Sequence, residues 1–400
     1  MAEIAVMGYG IVGAGVVGVL EKNSDIIKKN AGEEVNVKYV LDLRDFPDDP
    51  IQEKVIHDVE ILLADKDVEL VVETMGGVEP AFTFVKRALE SGKHVCTSNK
   101  NLVAAKGAEL LKIAKEKGVY FLFEAAVGGG IPIIRSINNA LTADRIESVT
   151  GILNGTCNYI ISKMERDGES FEAALKKAQD NGFAERDPEN DIKGYDSCRK
   201  IAILASIISG KAVSYEKILT EGIDGVCAED IAYAKSLGMK IKLLAKCAYE
   251  DGKLSAITAP FLIGSKHPLF GIDGVINAVS VHGNAVEDVA FTGAGAGRYP
   301  TASAVVSDIV DAIKHKGKDE YPVLWSEDEL VPEDAGDNMY QYFVRIRENE
   351  KNDDSAFEAV RTVSLDELED EYGIITDEMT HKEFEERSQK VEMISYYRVI

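Results

Sequence analysis

A short apolar run that leads straight into a glycine-rich loop constrains this chain more than any other feature: Glu3-Ile4-Ala5-Val6-Met7 is followed at once by Gly8-Tyr9-Gly10-Ile11-Val12-Gly13-Ala14-Gly15. An aliphatic run bounded by glycines reads as a strand buried on both faces, as parallel sheets require. In Gly-x-Gly-x-x-Gly the first glycine permits a tight turn, the second lets the backbone approach a pyrophosphate, and the third lets the next helix pack on the strand. A helix starting at Ile11 aims free N–H groups and the positive end of its dipole at that pyrophosphate. Gly8, Gly10, Ile11, Val12 and Gly13 are therefore the expected contacts of a dinucleotide.

The pattern continues with predicted strands at 35–41, 68–73, 94–97 and 120–123, and helices at 81–91 and 101–117 between them. Strands alternating with helices imply right-handed crossovers and a doubly wound, Rossmann-type α/β domain, placed at residues 1–134. A helix at 303–320 is expected to pack back on it. Residues 135–302 read as a central α+β domain for substrate binding and dimerisation, with helices at 135–141, 171–181, 195–209 and 228–248 and a strand at 148–153. Residues 338–400 form a small, charged α+β module, with strands at 340–347 and 392–400 around helical patches at 365–371 and 381–389. Three domains suit 400 residues, since single cores rarely grow past about 250–300 residues.

Composition narrows the function class. The 69 acidic against 45 basic residues leave a net charge of −24, which repels nucleic-acid backbones and anionic membranes. No stretch offers the roughly 20 apolar residues of a membrane span, and Met1 runs into a strand with no apolar leader, so a cytoplasmic protein is expected. The 5 cysteines are scattered without a Cys-x-x-Cys pair, and the 6 histidines are dispersed, which argues against disulfides and zinc.

Cofactor choice rests on the end of the second strand, where an acid bonds a ribose hydroxyl and an arginine accepts a 2′-phosphate. Asp42 and Arg44 both stand there, so NAD and NADP remain open. Ser98 and Lys100 follow the carboxyl end of the fourth strand, where open α/β sheets bind ligands; by position alone Lys100 reads equally as one of the 45 basic residues, on a solvated loop. Further on, Asp196 and Lys200 are four apart on a predicted helix and share one face, as an ion pair or as part of a site.

Two groups of segments then fall into place in order. One is Ala178-x-x-x-Gly182-Phe183-Ala184-x-x-Asp187-Pro188-x-x-Asp191-Ile192-x-Gly194-x-Asp196-x-x-x-Lys200. The other comprises Gly76-Gly77-Val78-Glu79-Pro80, Thr97-Ser98-Asn99-Lys100, Glu124-Ala125-Ala126-Val127-Gly128-Gly129-Gly130-Ile131-Pro132, Leu153-Asn154-Gly155-Thr156-Cys157-Asn158-Tyr159 and Gly293-Ala294-Gly295-Ala296-Gly297-Arg298-Tyr299-Pro300. Together they resemble the homoserine dehydrogenases. The resemblance implies NAD(P)-dependent interconversion of L-homoserine and L-aspartate 4-semialdehyde, on the route to threonine and methionine, by a homodimer or homotetramer.

It also implies roles. Glu185 and Asp196 match residues that hold the substrate, Lys200 the proton donor and Lys100 a second active-site lysine. Asp191 either orients Lys200 or caps the helix. Gly182 and Gly297 match cofactor contacts. Glu124, with the carbonyls of Val127, Gly129 and Ile131, matches a monovalent cation site for Na+ or K+; a plain interdomain hinge is the other reading of that stretch. Cys157 stands where the family has threonine, which argues against a cysteine nucleophile. The C-terminal module occupies the place of an ACT domain but is degenerate, the usual turn being replaced by Arg347-Glu348-Asn349-Glu350-Lys351-Asn352-Asp353-Asp354.

Overall fold

A computed structural model describes residues 1–317, 324–349, 352 and 355–400. In chain order the first elements are β1 (Ala2–Met7), α1 (Ile11–Lys22), α2 (Ser24–Ala31), β2 (Val35–Leu41), β3 (Val55–Ile56), α3 (Val59–Ala64), β4 (Val68–Glu73), α4 (Ala81–Glu90), β5 (His94–Thr97), α5 (Lys100–Lys117), β6 (Phe121–Leu122), α6 (Ala125–Gly128) and α7 (Ile133–Arg135). There follow β7 (Ile146–Ile152), α8 (Gly155–Asp167), α9 (Phe171–Asp180), α10 (Glu189–Ile192), α11 (Tyr195–Ser209), β8 (Leu219–Thr220), α12 (Ala228–Ser236), β9 (Met239–Glu250), β10 (Lys253–Gly264), β11 (Ile276–Gly283), β12 (Glu287–Ala294) and α13 (Arg298–Lys314). The chain ends with β13 (Met339–Arg347), β14 (Ala359–Val363), β15 (Glu371–Thr376), β16 (Met379–Thr380), α14 (His381–Ser388) and β17 (Met393–Val399).

Contacts divide the chain into two compact units. Unit one holds Met1–Arg145, Ala202–Tyr215 and Gly293–Leu330; unit two holds Ile146–Ile201, Glu216–Thr292 and Val331–Ile400. In unit one a parallel sheet runs β3-β2-β1-β4-β5-β6, with the order reversing beside β1 as a doubly wound sheet requires. Its core joins Ile4, Val6, Val16, Val17 and Leu20 to Ala302, Val305 and Ile309 of α13. That helix ends at Lys314, and residues 318–320 of the expected span lie outside the described residues.

Unit two carries a mixed sheet in the order β12-β11-β7-β9-β10-β17-β13-β15-β14. The last strand, β17, runs parallel to β10 through Phe261↔Arg398 and Leu262↔Val399, so the C-terminal strands extend the central sheet. Two buried arginines fasten this junction: Arg398 to Glu221 at 2.6 and 3.0 Å, and Arg345 to Asp230 at 2.6 Å. Of the segment replacing the usual turn, Glu350, Lys351, Asp353 and Asp354 lie outside the described residues. Among the described residues no helix is long and apolar enough to cross a membrane.

Two expected helices are strands or turns. The span 228–248 is helical only to Ser236; Gly238, at φ +71°, turns the chain, and β9 follows. Both faces of β9 are covered, which erases the period-two signal, and its Lys242 is buried with its amine on Asn158, Ile272 O and Asp273. The patch at 365–371 forms turns leading into β15. Like charges four apart, Asp366 with Asp370 and Glu367 with Glu371, disfavour a helix there.

One buried group makes stability depend on pH. His94 opens β5 nine-tenths buried, its Nδ1 accepts the Tyr120 N–H at 2.9 Å, and burial pushes its pKa down to about 4. Between roughly pH 6.5 and 4 the unfolded chain takes up a proton at His94 that the folded chain refuses, so this residue's own contribution to stability falls by about 3 kcal/mol across that window, while buried Asp308, raised to about 8, contributes in the opposite direction. The urea midpoint of His94→Asn should rise relative to that of the parent as the pH is lowered from 6.5 to 4; a difference that stays constant would remove His94 as a contributor.

Candidate active site

The glycine loop sits at the carboxyl end of β1 in unit one. Gly8 adopts φ +91°, and a Cβ on Gly13 would lie 1.9 Å from the Gly8 carbonyl oxygen, so only glycine lets α1 start against the strand. Gly10 differs: its backbone is extended, no side chain caps α1, and a Cβ there would meet nothing within 4 Å. Open space above an uncapped helix N-terminus is the cradle a pyrophosphate needs. Ile11 is exposed on the first turn, while Val12 packs against the core of the unit. A second uncapped N-terminus, that of α13, starts at Gly297 with φ +111°, and Arg298 donates to the Ala14 carbonyl at 3.3 Å. The dinucleotide therefore fits the residues present.

At the end of β2 the two candidate ribose residues have different surroundings. The Asp42 carboxylate accepts the Tyr9 N–H at 2.7 Å and the Arg44 Nε at 3.0 Å, and the Arg44 bond holds its pKa down at about 2. Its side chain is 9% exposed, whereas that of Arg44 is 62% exposed and lies over the Phe46 ring. The acid is buried in the loop; the guanidinium is folded onto it, its Nη2 donating to Asp42 Oδ2 at 3.1 Å and to Tyr9 O at 3.3 Å, but stays open to solvent.

The loops after β4 and β5 share a residue the sequence reading missed. Glu73 is fully buried; its carboxylate accepts the Met75 N–H at 2.8 Å and the Thr97 hydroxyl at 2.6 Å, and burial raises its pKa. It thus ties the Gly76-Gly77 turn to the segment carrying Ser98 and Lys100. Asn99 caps α5 by accepting the Leu102 N–H and donates to Gly77 O at 2.6 Å. Lys100 is the first residue of that helix, half-buried, although a helix dipole disfavours a cation there.

Unit two gathers Asp191, Asp196 and Lys200. Lys200 on α11 donates to Asp196 Oδ2 at 2.8 Å and to Leu153 O at 2.7 Å, with Lys200 7% and Asp196 3% exposed. Asn154 Nδ2 donates to Asp196 Oδ2 at 2.9 Å and to Asp191 Oδ1 at 2.8 Å, while Asn154 Oδ1 caps α8 by accepting the Cys157 N–H at 2.9 Å. Asp191 thus belongs to the group through Asn154. Glu185 stands exposed on the loop after α9, as does Gly182, at φ +73°; the structure does not bond Glu185 into the network. Burial pushes the Cys157 thiol well up, and its sulfur donates to Asp191 O at 3.1 Å, which fits an inert core cysteine.

The stretch Glu124–Ile131 lies in unit one. Glu124 is buried; its oxygens accept the Ile134 and Arg135 N–H groups at 2.9 and 2.7 Å, and its own N–H donates to Asp308. Val127 and Ile131 are buried, and Gly129, at φ +58°, has no room for a Cβ beside Gly295 O. Among the described residues no three His, Cys, Asp or Glu side chains converge as a metal cage. Any cation here rests on carbonyls and one carboxylate, a donor set suited to a hard ion.

Comparison with known proteins identifies the family. Residues 8–124 match the family "Homoserine dehydrogenase, NAD binding domain" and residues 132–310 the family "Homoserine dehydrogenase". A curated homoserine dehydrogenase of Pseudomonas aeruginosa is 37% identical, over 98% of this chain and 91% of its own. One of Synechocystis is 43% identical, over 80% and 76%. Among solved structures, a homoserine dehydrogenase of Thiobacillus denitrificans matches with a TM-score of 0.91 at 33% identity, covering 100% of this chain and 98% of that one. A hyperthermophilic archaeal homoserine dehydrogenase in complex with NADPH matches with a TM-score of 0.67 at 27% identity, over 78% and 97%. The chain belongs to the homoserine dehydrogenase family of NAD(P)-dependent oxidoreductases.

Proposed function

We propose that this chain interconverts L-homoserine and L-aspartate 4-semialdehyde with NADP(H) preferred, Lys200 giving or taking the hydroxyl proton. The buried Lys200–Asp196 pair carries the reading, since a lysine held out of water beside a carboxylate can pass a proton to an oxygen whose charge changes. A bound nicotinamide supplies or accepts the hydride. Asp196 fixes the amine and, with Glu185, offers negative charge to the substrate ammonium. Asp191 orients rather than reacts, because it acts through Asn154. Lys100 serves as a second cation for the substrate.

The preference for NADP(H) rests on Arg44, whose exposed guanidinium suits a 2′-phosphate while Asp42 is engaged with Tyr9 and Arg44. The Glu124, Val127, Gly129 and Ile131 stretch is assigned to Na+ or K+. A homodimer or homotetramer is supported by the half-buried row Ser148, Thr150, Lys246 and Ala248 on one sheet face, which a second copy would cover.

The test is turnover of L-homoserine by the purified protein, run separately with NADP+ and NAD+ in sodium- or potassium-containing buffer. Reduction of neither dinucleotide by folded protein would sink the proposal. Arg44→Ala should raise KM for NADP+ by roughly 10- to 100-fold, the worth of a charge-assisted hydrogen bond, and leave NAD+ unaffected or improved. Equal losses with both would return the cofactor question to Asp42.

A further inference from the structure

Lys200, Asp196 and Asp191 come together on two short segments after residue 188, yet what holds them comes from the end of β7. Leu153 accepts from the Lys200 amine through its carbonyl, and the next residue, Asn154, donates both amide hydrogens, one to Asp196 Oδ2 and one to Asp191 Oδ1. The oxygen of the same amide caps α8. Asn154 is 6% exposed and uses three of its four hydrogen-bonding capacities on three different segments.

Asp196 Oδ2 is the atom that matters, because it receives Asn154 Nδ2 at 2.9 Å and Lys200 Nζ at 2.8 Å. Two donors on one carboxylate oxygen compete for its electron density. A neutral amide there moderates the pull of the carboxylate on the ammonium without adding charge. It also stands between two carboxylates that would otherwise repel. We infer that Asn154 is a positioning residue of the reaction: it sets the spacing of Asp191 and Asp196 and how firmly Asp196 grips the Lys200 ammonium. The inference rests on Lys200 being the proton-transferring group.

Two substitutions separate this role from the cap, since serine and aspartate both cap helices as well as asparagine does. Asn154→Ser keeps the cap but cannot reach both carboxylates. Asn154→Asp keeps the shape and the cap but exchanges the donor for a third negative charge. Both should melt below the parent, Asn154→Asp the lower because it buries a further charge beside two carboxylates, and both should keep its KM for NADP+.

With L-homoserine as substrate, kcat should fall by about 10- to 100-fold in Asn154→Ser and by more in Asn154→Asp. The pH at which kcat/KM reaches half its plateau should move upward in both, because a carboxylate relieved of its amide donor holds the ammonium proton more tightly. With the semialdehyde as substrate, Asn154→Asp should regain activity as the pH is lowered, a protonated carboxyl again being a donor; Asn154→Ser should not. Parent-like kcat and pH profile in both variants overturn the inference, as does a loss that tracks melting temperature with the profile unmoved. An inactive parent enzyme, by contrast, overturns the proposed reaction itself, so the two failures are distinguishable.

Discussion

Replacing Lys200 by methionine is expected to lower kcat for L-homoserine oxidation by about 10²- to 10⁴-fold, the usual worth of a positioned proton-transfer group, with KM for NADP+ unchanged. The same change has a structural cost. Asp196 is 3% exposed and would lose its ammonium, and breaking one half of a buried ion pair costs about 3–5 kcal/mol. A loss of activity alone would therefore not distinguish chemistry from unfolding. Adding Asp196→Asn to Lys200→Met removes the stranded charge while keeping an acceptor for Asn154 Nδ2. The double variant should regain most of the lost urea resistance and none of the turnover. If turnover returns with stability, or Lys200→Met alone turns over normally, Lys200 is not the proton carrier.

How much of this was legible before the structure follows from where each signal is stored. In unit one the strands Val35–Leu41, Val68–Glu73 and His94–Thr97 fall where the aliphatic runs place them, the last two because a strand buried on both faces needs no partner to be recognised. The same property hid β9. With both faces covered and lysines inside the run, its apolar residues fit a helical period as well as a strand, and the partners that satisfy Lys242, Asn158 and Asp273, lie far away in sequence. The patch at 365–371 failed for another reason: its glutamates have good helical propensity individually, but the aspartates among them do not, and the like charges repel each other collectively.

The candidate site divides in the same way. Asp196 and Lys200 are four residues apart, so their pairing is local and was readable; Leu153 O and Asn154 enter from more than forty positions earlier. Asn154 did carry a local signal, an asparagine between a strand and a helix, but that signal announces only a cap. Likewise Asp42 and Arg44 were both visible, and only the tertiary surroundings show that the acid is buried against the Tyr9 N–H while the arginine, paired with it, stays open to solvent.

Gly10→Ala and Gly13→Ala should fail in different ways, and the difference locates the dinucleotide. Gly10 has an extended backbone, and a methyl there enters open space, so the apo protein should melt within about 0.5 kcal/mol of the parent, as uncomplicated surface changes do. At Gly13 a methyl would sit 1.9 Å from the Gly8 carbonyl oxygen. Relief there requires α1 to move off the strand, which overpacking data price at about 1–3 kcal/mol or more. The reading is the melting temperature with and without NADP+. Ligand at 100 times its Kd stabilises the parent by about 2.7 kcal/mol. Gly10→Ala should melt like the apo parent and gain almost nothing from NADP+, because the methyl occupies the approach that the pyrophosphate needs. Gly13→Ala should melt lower and also gain nothing. A normal NADP+-induced rise in Gly10→Ala would place the pyrophosphate elsewhere and remove the glycine loop from cofactor binding, leaving only the packing of α1 on β1 to account for its sequence.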